Sequence, residues 1–138
     1  MSTIFKKIID REVSADIVYE DDLVLAFLDI SPIRKGHTLV IPKKEFENIF
    51  DGDPEILGHM MVVAQKVAKA VLKTTGATGI NIKMNNGHTA GQDVFHAHLH
   101  VIPRFKHGET FIVPDHGKYS DGESVALAEK IKVALGQS

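Results

Sequence analysis

Three histidines stand at alternate positions in Phe95-His96-Ala97-His98-Leu99-His100-Val101-Ile102. In an extended strand successive side chains face opposite ways, so this spacing predicts His96, His98 and His100 on one face and Ala97, Leu99 and Val101 on the other. Three imidazoles in a row are an expensive way to fill a core, because each brings two ring nitrogens that need partners. The row therefore reads as chemistry. One candidate is a nucleophile for phosphorus or acyl centres: with a reference pKa near 6.5, about three-quarters of a free imidazole is neutral at pH 7. Protonated neighbours would hydrogen-bond phosphate oxygens, and the ~6.6 Å repeat lets the outer two rings bracket a phosphate over the middle one. A second candidate is a metal site, with a His-x-His pair completed by Asp93, His37 or His88. A third is that one or two of the rings are hydrogen-bonded core histidines and a single one is functional.

The surroundings lean towards phosphate. Asn85-Asn86-Gly87-His88-Thr89-Ala90-Gly91-Gln92 is a polar, glycine-bearing loop whose backbone N–H groups can approach an anion. His37 opens an apolar stretch flanked by Arg34, Lys35, Lys43 and Lys44, cations that attract an anionic ligand or simply sit in solvent.

Positioning these groups requires a scaffold, and the 138 residues suffice for the single domain expected over residues 1–138. Ser2 or Thr3 caps a short helix with Ile4, Phe5, Ile8 and Ile9 as its apolar stripe. Strands are expected over Ile17–Tyr19 and Leu23–Leu28, with Glu20-Asp21-Asp22 as the turn, then over 37–41, stopped by Pro42. Asp53-Pro54 starts a long helix whose apolar residues recur at three- and four-residue steps until Gly76. Gly79–Met84 alternates as a strand, the histidine strand follows, and a last helix covers Glu123–Leu135. Strands and helices in this order predict an α+β fold, an antiparallel sheet with helices on one face.

Composition narrows the classes. With 43% hydrophobic and 25% charged residues the chain has the make-up of an ordinary globular protein. A net charge of -2 argues against a nucleic-acid binder, and no apolar run approaches the ~20 residues of a membrane span. The N-terminal residues lack a basic-then-apolar leader pattern, so the expected location is cytoplasmic. Absence of cysteine removes thiol nucleophiles, disulfides and thiolate metal sites together.

His96-Ala97-His98-Leu99-His100-Val101-Ile102 resembles the His-φ-His-φ-His-φ-φ signature of the histidine triad (HIT) superfamily of nucleotide hydrolases and transferases. Phe27-Leu28-Asp29-Ile30-Ser31-Pro32, the stretch from Gly36 to Lys43, and Asn85 through Arg104 resemble other segments of that family in the same order. The similarity covers roughly residues 2–104. It implies a homodimer whose two sheets join into one. It also implies that His98 attacks the α-phosphate of a purine nucleotide, giving a nucleotidyl-histidine that water hydrolyses to the monophosphate. No cofactor is implied: His100, His37 and backbone N–H groups would stabilise charge, and His96 would orient the nucleophile. The nucleoside would lie against Ile4, Phe5, Ile8, Phe27, Ile30 and Leu39, with Asp29 on the ribose hydroxyls. Asn85, Gly91, Gln92 and Asp93 would hold the phosphate side.

Two departures from the family pattern matter. Asp93 stands where nucleoside phosphoramidases typically carry a serine that protonates the leaving amine. Thr3 and Lys6 stand where many bacterial relatives carry two cysteines of a zinc site, so no metal is expected. The implied activity is hydrolysis of nucleoside 5′-phosphoramidates or related AMP-linked substrates. The alternatives are a dinucleoside polyphosphate hydrolase, towards which Ile102-Pro103-Arg104 points, and a nucleotide-binding regulatory protein with little catalysis. His59, His107 and His116 match no part of the signature and are expected at the surface.

Overall fold

The computed structural model describes residues 3–106 and 117–137. His107, His116 and the middle of the segment joining the last strand to the last helix lie outside the described residues.

Five strands form one antiparallel sheet: β1 (Ile17–Glu20), β2 (Val24–Leu28), β3 (Thr38–Pro42), β4 (Gly79–Lys83) and β5 (Leu99–Arg104), in the order β1-β2-β3-β5-β4. Three helices accompany it. Helix α1 (Ile4–Ile9) is capped by Thr3, whose hydroxyl accepts the Lys6 N–H at 3.1 Å. Helix α2 (Pro54–Thr75) begins as its sequence predicts: Asp53 accepts the Glu55 N–H at 2.9 Å and Pro54 occupies the first turn. Gly76, at φ 78°, closes it by donating its N–H to the Leu72 carbonyl. Helix α3 (Glu123–Leu135) ends the described chain.

Alternation along the strands sorts side chains into two layers. Val24, Ala26, Leu28, Val40, Leu99 and Val101 pack under α2, whose Met60, Val63, Ala64, Val67 and Val71 face inward, and under Ala128 and Ile131 of α3. Leu25, Phe27, Leu39 and Ile41 point the other way, where Phe5 and Ile8 of α1 cover them. The expectation of helices on one face is thus corrected. The short helix lies opposite the two long ones, because β2 and β3 are buried at every position and so carry apolar residues on both sides.

The strands β3 and β5 bring the Gly36-His37 end of one against His100 of the other, through the pairs Thr38–Val101 and Leu39–His100. Gly36 has φ 103°, and a Cβ there would come within 3.0 Å of Thr75 Cγ2 on α2, so this turn is built for glycine. His59, expected at the surface, is instead half-buried with Nε2 2.6 Å from Asp21 Oδ2. Burial alone would raise the Asp21 carboxyl. Hydrogen bonds from His59, Tyr19 and the N–H groups of Leu23 and Val24 outweigh that and hold it well below the usual range, fixing the β1–β2 turn to α2.

Candidate active site

The histidine row does not sit in one regular strand. His100 is in β5, whereas His96 and His98 lie in the extended lead-in before it, where the Ala97 N–H donates to the Phe46 carbonyl at 2.8 Å instead of to β3. The reason is at the other end of the pair: β3 reaches Pro42, which has no N–H to continue a ladder. The rings nevertheless gather. His98 and His100 have centroids 4.9 Å apart, and His37 and His100 5.1 Å apart.

Their hydrogen bonds assign every proton. The Ile33 N–H donates to His37 Nδ1 at 3.1 Å, so that nitrogen is an acceptor and the His37 proton is on Nε2. His37 Nε2 then donates to His100 Nδ1 at 2.9 Å, which places the His100 proton on its own Nε2. His98 donates from Nδ1 to the His96 carbonyl at 2.7 Å, leaving Nε2 with a bare lone pair. His96 donates from Nε2 to the Pro42 carbonyl at 2.9 Å, and its Nδ1 faces the Thr3 hydroxyl at 3.4 Å. Burial pushes His96 and His98 below the ordinary histidine value. Burial, then the charge that His98 would carry if protonated and that of Lys83, brings His100 down to about 4. All three shifts favour the neutral ring.

Beside the rings is a cleft of about 180 Å³ between α1 and the sheet. All seven residues expected to receive a nucleoside line it: Ile4, Phe5, Ile8, Phe27, Asp29, Ile30 and Leu39. Phe5 bridges cleft and rings, its centroid 5.0 Å from that of His98. Ile30 is 78% exposed and forms the rim. Asp29 accepts the Ser31 N–H on Oδ1 at 2.9 Å, with Oδ2 3.9 Å from His37 Nε2.

The loop before the triad contains a 3₁₀ turn, His88–Ala90, closed by Gly91 at φ 92°. Asn85 donates from its amide to the Gly91 carbonyl at 3.3 Å. Gln92 needs a correction as a ligand-binding side chain: it is 2% exposed and fully engaged inside the protein. Its Oε1 accepts from Asn48 Nδ2 (3.1 Å) and the Gly87 N–H (2.8 Å), and its Nε2 donates to the carbonyls of Glu47 (2.6 Å) and Val94 (3.0 Å). Gln92 serves the site by holding the loop. Asp93, next in sequence, is exposed, and its charge acts on both His98 and His100.

Asp29, His37 and His100 place three ligand-type atoms within 4.8 Å of one another, a set whose composition suits a divalent cation. The protons do not. His37 offers Nε2 to a metal only if it gives up the Ile33 hydrogen bond or becomes an imidazolate, so the donor set fits poorly.

A model described as the HIT domain matches residues 10–107. The chain belongs to the HIT family. An uncharacterized HIT-like protein of Methanocaldococcus jannaschii is 46% identical over 133 residues, covering 96% of this chain and 98% of its own length. A crystal structure of a HIT-like protein from Bartonella henselae superposes with a TM-score of 0.85 at 42% identity, over 96% of each chain. The Arabidopsis thaliana adenylylsulfatase HINT3 is 39% identical over 101 residues, 73% of this chain and 51% of that protein. The α+β architecture is that of solved HIT structures.

Groups that sequence reasoning missed are the Ile33 N–H, which sets the His37 tautomer, the Asn48–Gln92 pair, and Lys83, which is opposite His100 across the β4–β5 ladder. Only the last left a trace: Asn81 and Lys83 alternate with Ile80 and Ile82.

Proposed function

We propose that this HIT protein hydrolyses nucleoside 5′-phosphoramidates or related AMP-linked substrates through a covalent adduct on His98. The observation that carries this reading is the bond from His98 Nδ1 to the His96 carbonyl, which leaves Nε2 unprotonated on a ring packed edge-on against Phe5 of the cleft. In the first step the Nε2 lone pair forms a bond to the α-phosphorus and the P–N bond breaks. Its electron pair goes to the amine nitrogen, which takes a proton from solvent; an aspartate in its carboxylate form at position 93 accepts a hydrogen bond but has no proton to give. The His100 Nε2–H, oriented by His37, donates to a phosphoryl oxygen as negative charge builds there. Water then attacks phosphorus and returns a proton to solvent, the P–Nε2 bond breaks with its pair returning to the ring, and AMP departs. Throughout, a purine nucleoside occupies the α1 cleft with Asp29 accepting from the ribose hydroxyls, and Asn85, Gly91 and Asp93 shape the phosphate side.

Release of AMP from adenosine 5′-phosphoramidate by the chelator-treated protein tests this. His98→Asn is expected to lower turnover about a thousandfold or more at unchanged melting temperature. Near-normal turnover by that variant would remove His98 from the nucleophile's role. Tight AMP binding without turnover would favour a binding role.

The reading includes a cytoplasmic homodimer. Among the described residues no helix is long and apolar enough to cross a membrane. Strand β4 lies at the sheet edge, and beside it Met61, Val62 and Ile82 are 50%, 49% and 37% exposed in an apolar groove between α2 and the sheet. A second copy pairing edge to edge would cover both the groove and the open backbone groups.

A further inference from the structure

The order of strands gives a bound substrate a direction. The nucleoside cleft lies over β2 and β3, through Phe27 and Leu39. His100 comes next on β5, paired with Leu39 on one side. On its other side His100 pairs with Lys83 of β4. Directly paired residues of an antiparallel ladder carry their side chains on the same face, with Cβ atoms about 5 Å apart. Reading across the sheet from the cleft, the sequence of groups is therefore nucleoside wall, His100, Lys83.

Alternation agrees with this placement. Ile80 and Ile82 turn towards α2, which leaves Asn81 and Lys83 on the face that carries His100. Lys83 is exposed and has no carboxylate partner among the described residues. Asn81, by contrast, is occupied, accepting from Arg104 Nε at 2.8 Å. Charges around the rings are unevenly distributed: Asp29 and Asp93 act on His98, whereas Lys83 and Asp93 act on His100. The face is thus negative on the loop side and positive at the sheet edge.

We infer that Lys83 is a specificity-determining residue that receives a negatively charged group on the part of the substrate beyond the α-phosphorus. This rests on the hydrolytic reading for its setting and adds the class of leaving group: among substrates with the same scissile bond, those whose leaving portion carries an anion are preferred. Carboxylate, phosphate and sulfate share the needed chemistry. Asp93 opposes an anion near the loop, so the charged end is directed to the β4 side.

A matched pair isolates the effect: AMP joined through nitrogen to glycine, and AMP joined to glycinamide. The bond broken is the same and only the remote carboxylate differs. The wild-type protein is expected to favour the glycine conjugate in kcat/KM by about fivefold at low salt, as an exposed ion pair allows, and less at 1 M salt. Lys83→Met is expected to abolish the preference and Lys83→Arg to keep it. The same preference in wild type and Lys83→Met would overturn the inference, as would none in the wild type. A second arm needs no turnover: the ratio of ADP to AMP affinity should fall in Lys83→Met, and an unchanged ratio would overturn the inference too. If neither conjugate is hydrolysed, the hydrolytic reading fails, and the ADP-to-AMP ratio still decides for or against Lys83.

Discussion

Each nitrogen of His37, His96, His98 and His100 has an assigned part, and most of the assignment comes from main-chain groups: the Ile33 N–H and the carbonyls of Pro42 and His96. The cost is that burial makes His96, His98 and His100 resist protonation in the fold. The unfolded chain, with histidines near 6.5, binds more protons than the native state as pH drops, so stability must fall from about pH 6.5 downward. The loss attributable to His100 levels off below its folded value of about 4 and is on the order of 3 kcal/mol at most. Melting temperatures between pH 7 and 4.5, above the range in which paired carboxylates titrate, should show this slope, and His100→Asn should reduce it. A flat wild-type profile would contradict the burial argument. The alternation of histidines was legible in the sequence as a row, and their gathering followed. The tautomers were not, because they depend on a carbonyl at residue 42 and an amide at residue 33 that folding alone brings to the rings.

Among the elements, the loop of residues 85–93 gains its shape from a single amide. Four hydrogen bonds converge on Gln92, whose primary amide supplies two acceptor and two donor directions in one plane, as only Asn, one carbon shorter, also does. Gln92→Leu fills similar space but leaves the Asn48 amide, the Gly87 N–H and two carbonyls without that partner. Turnover is expected to drop by about tenfold to a hundredfold, chiefly in kcat, with melting lowered by about 1–3 kcal/mol equivalent. Loss in KM alone would show that Gln92 acts on binding instead. Helix boundaries were readable because Thr3, Asp53, Pro54 and Gly76 are local signals. The start of β5 was not. A run of alternating residues looks like strand throughout, and only the Ala97–Phe46 bond shows that the chain leaves the ladder before Leu99. The seven cleft residues were found through resemblance; by pattern alone Phe5, Ile8, Phe27 and Leu39 are ordinary core, which they also are.

For the molecule as a whole, the proposed dimer turns on the apolar groove between α2 and β4. Ile82→Glu places a charge there and is expected to convert a two-copy species into one-copy molecules in sedimentation experiments, with little change in the fold of each. A wild-type chain that sediments as a single copy at micromolar concentration would remove the dimer from the reading. Neither this groove nor the opposition of Lys83 to His100 was visible beforehand, since strand order and register are properties of the assembled sheet. The same strand order has a consequence for the timing of events. Nucleoside wall, His100 and Lys83 lie in line, so under the proposed reaction the two halves of a cleaved substrate would be held by different parts of the molecule. In that reading the half over β4 would lie on the exposed side near Lys83 and depart first, while the nucleotide stays in the cleft beside α1. Water then enters through the space just vacated. Under the proposed reaction the covalent adduct makes the order compulsory, leaving group first and AMP last, and the strand order gives each product its own way out.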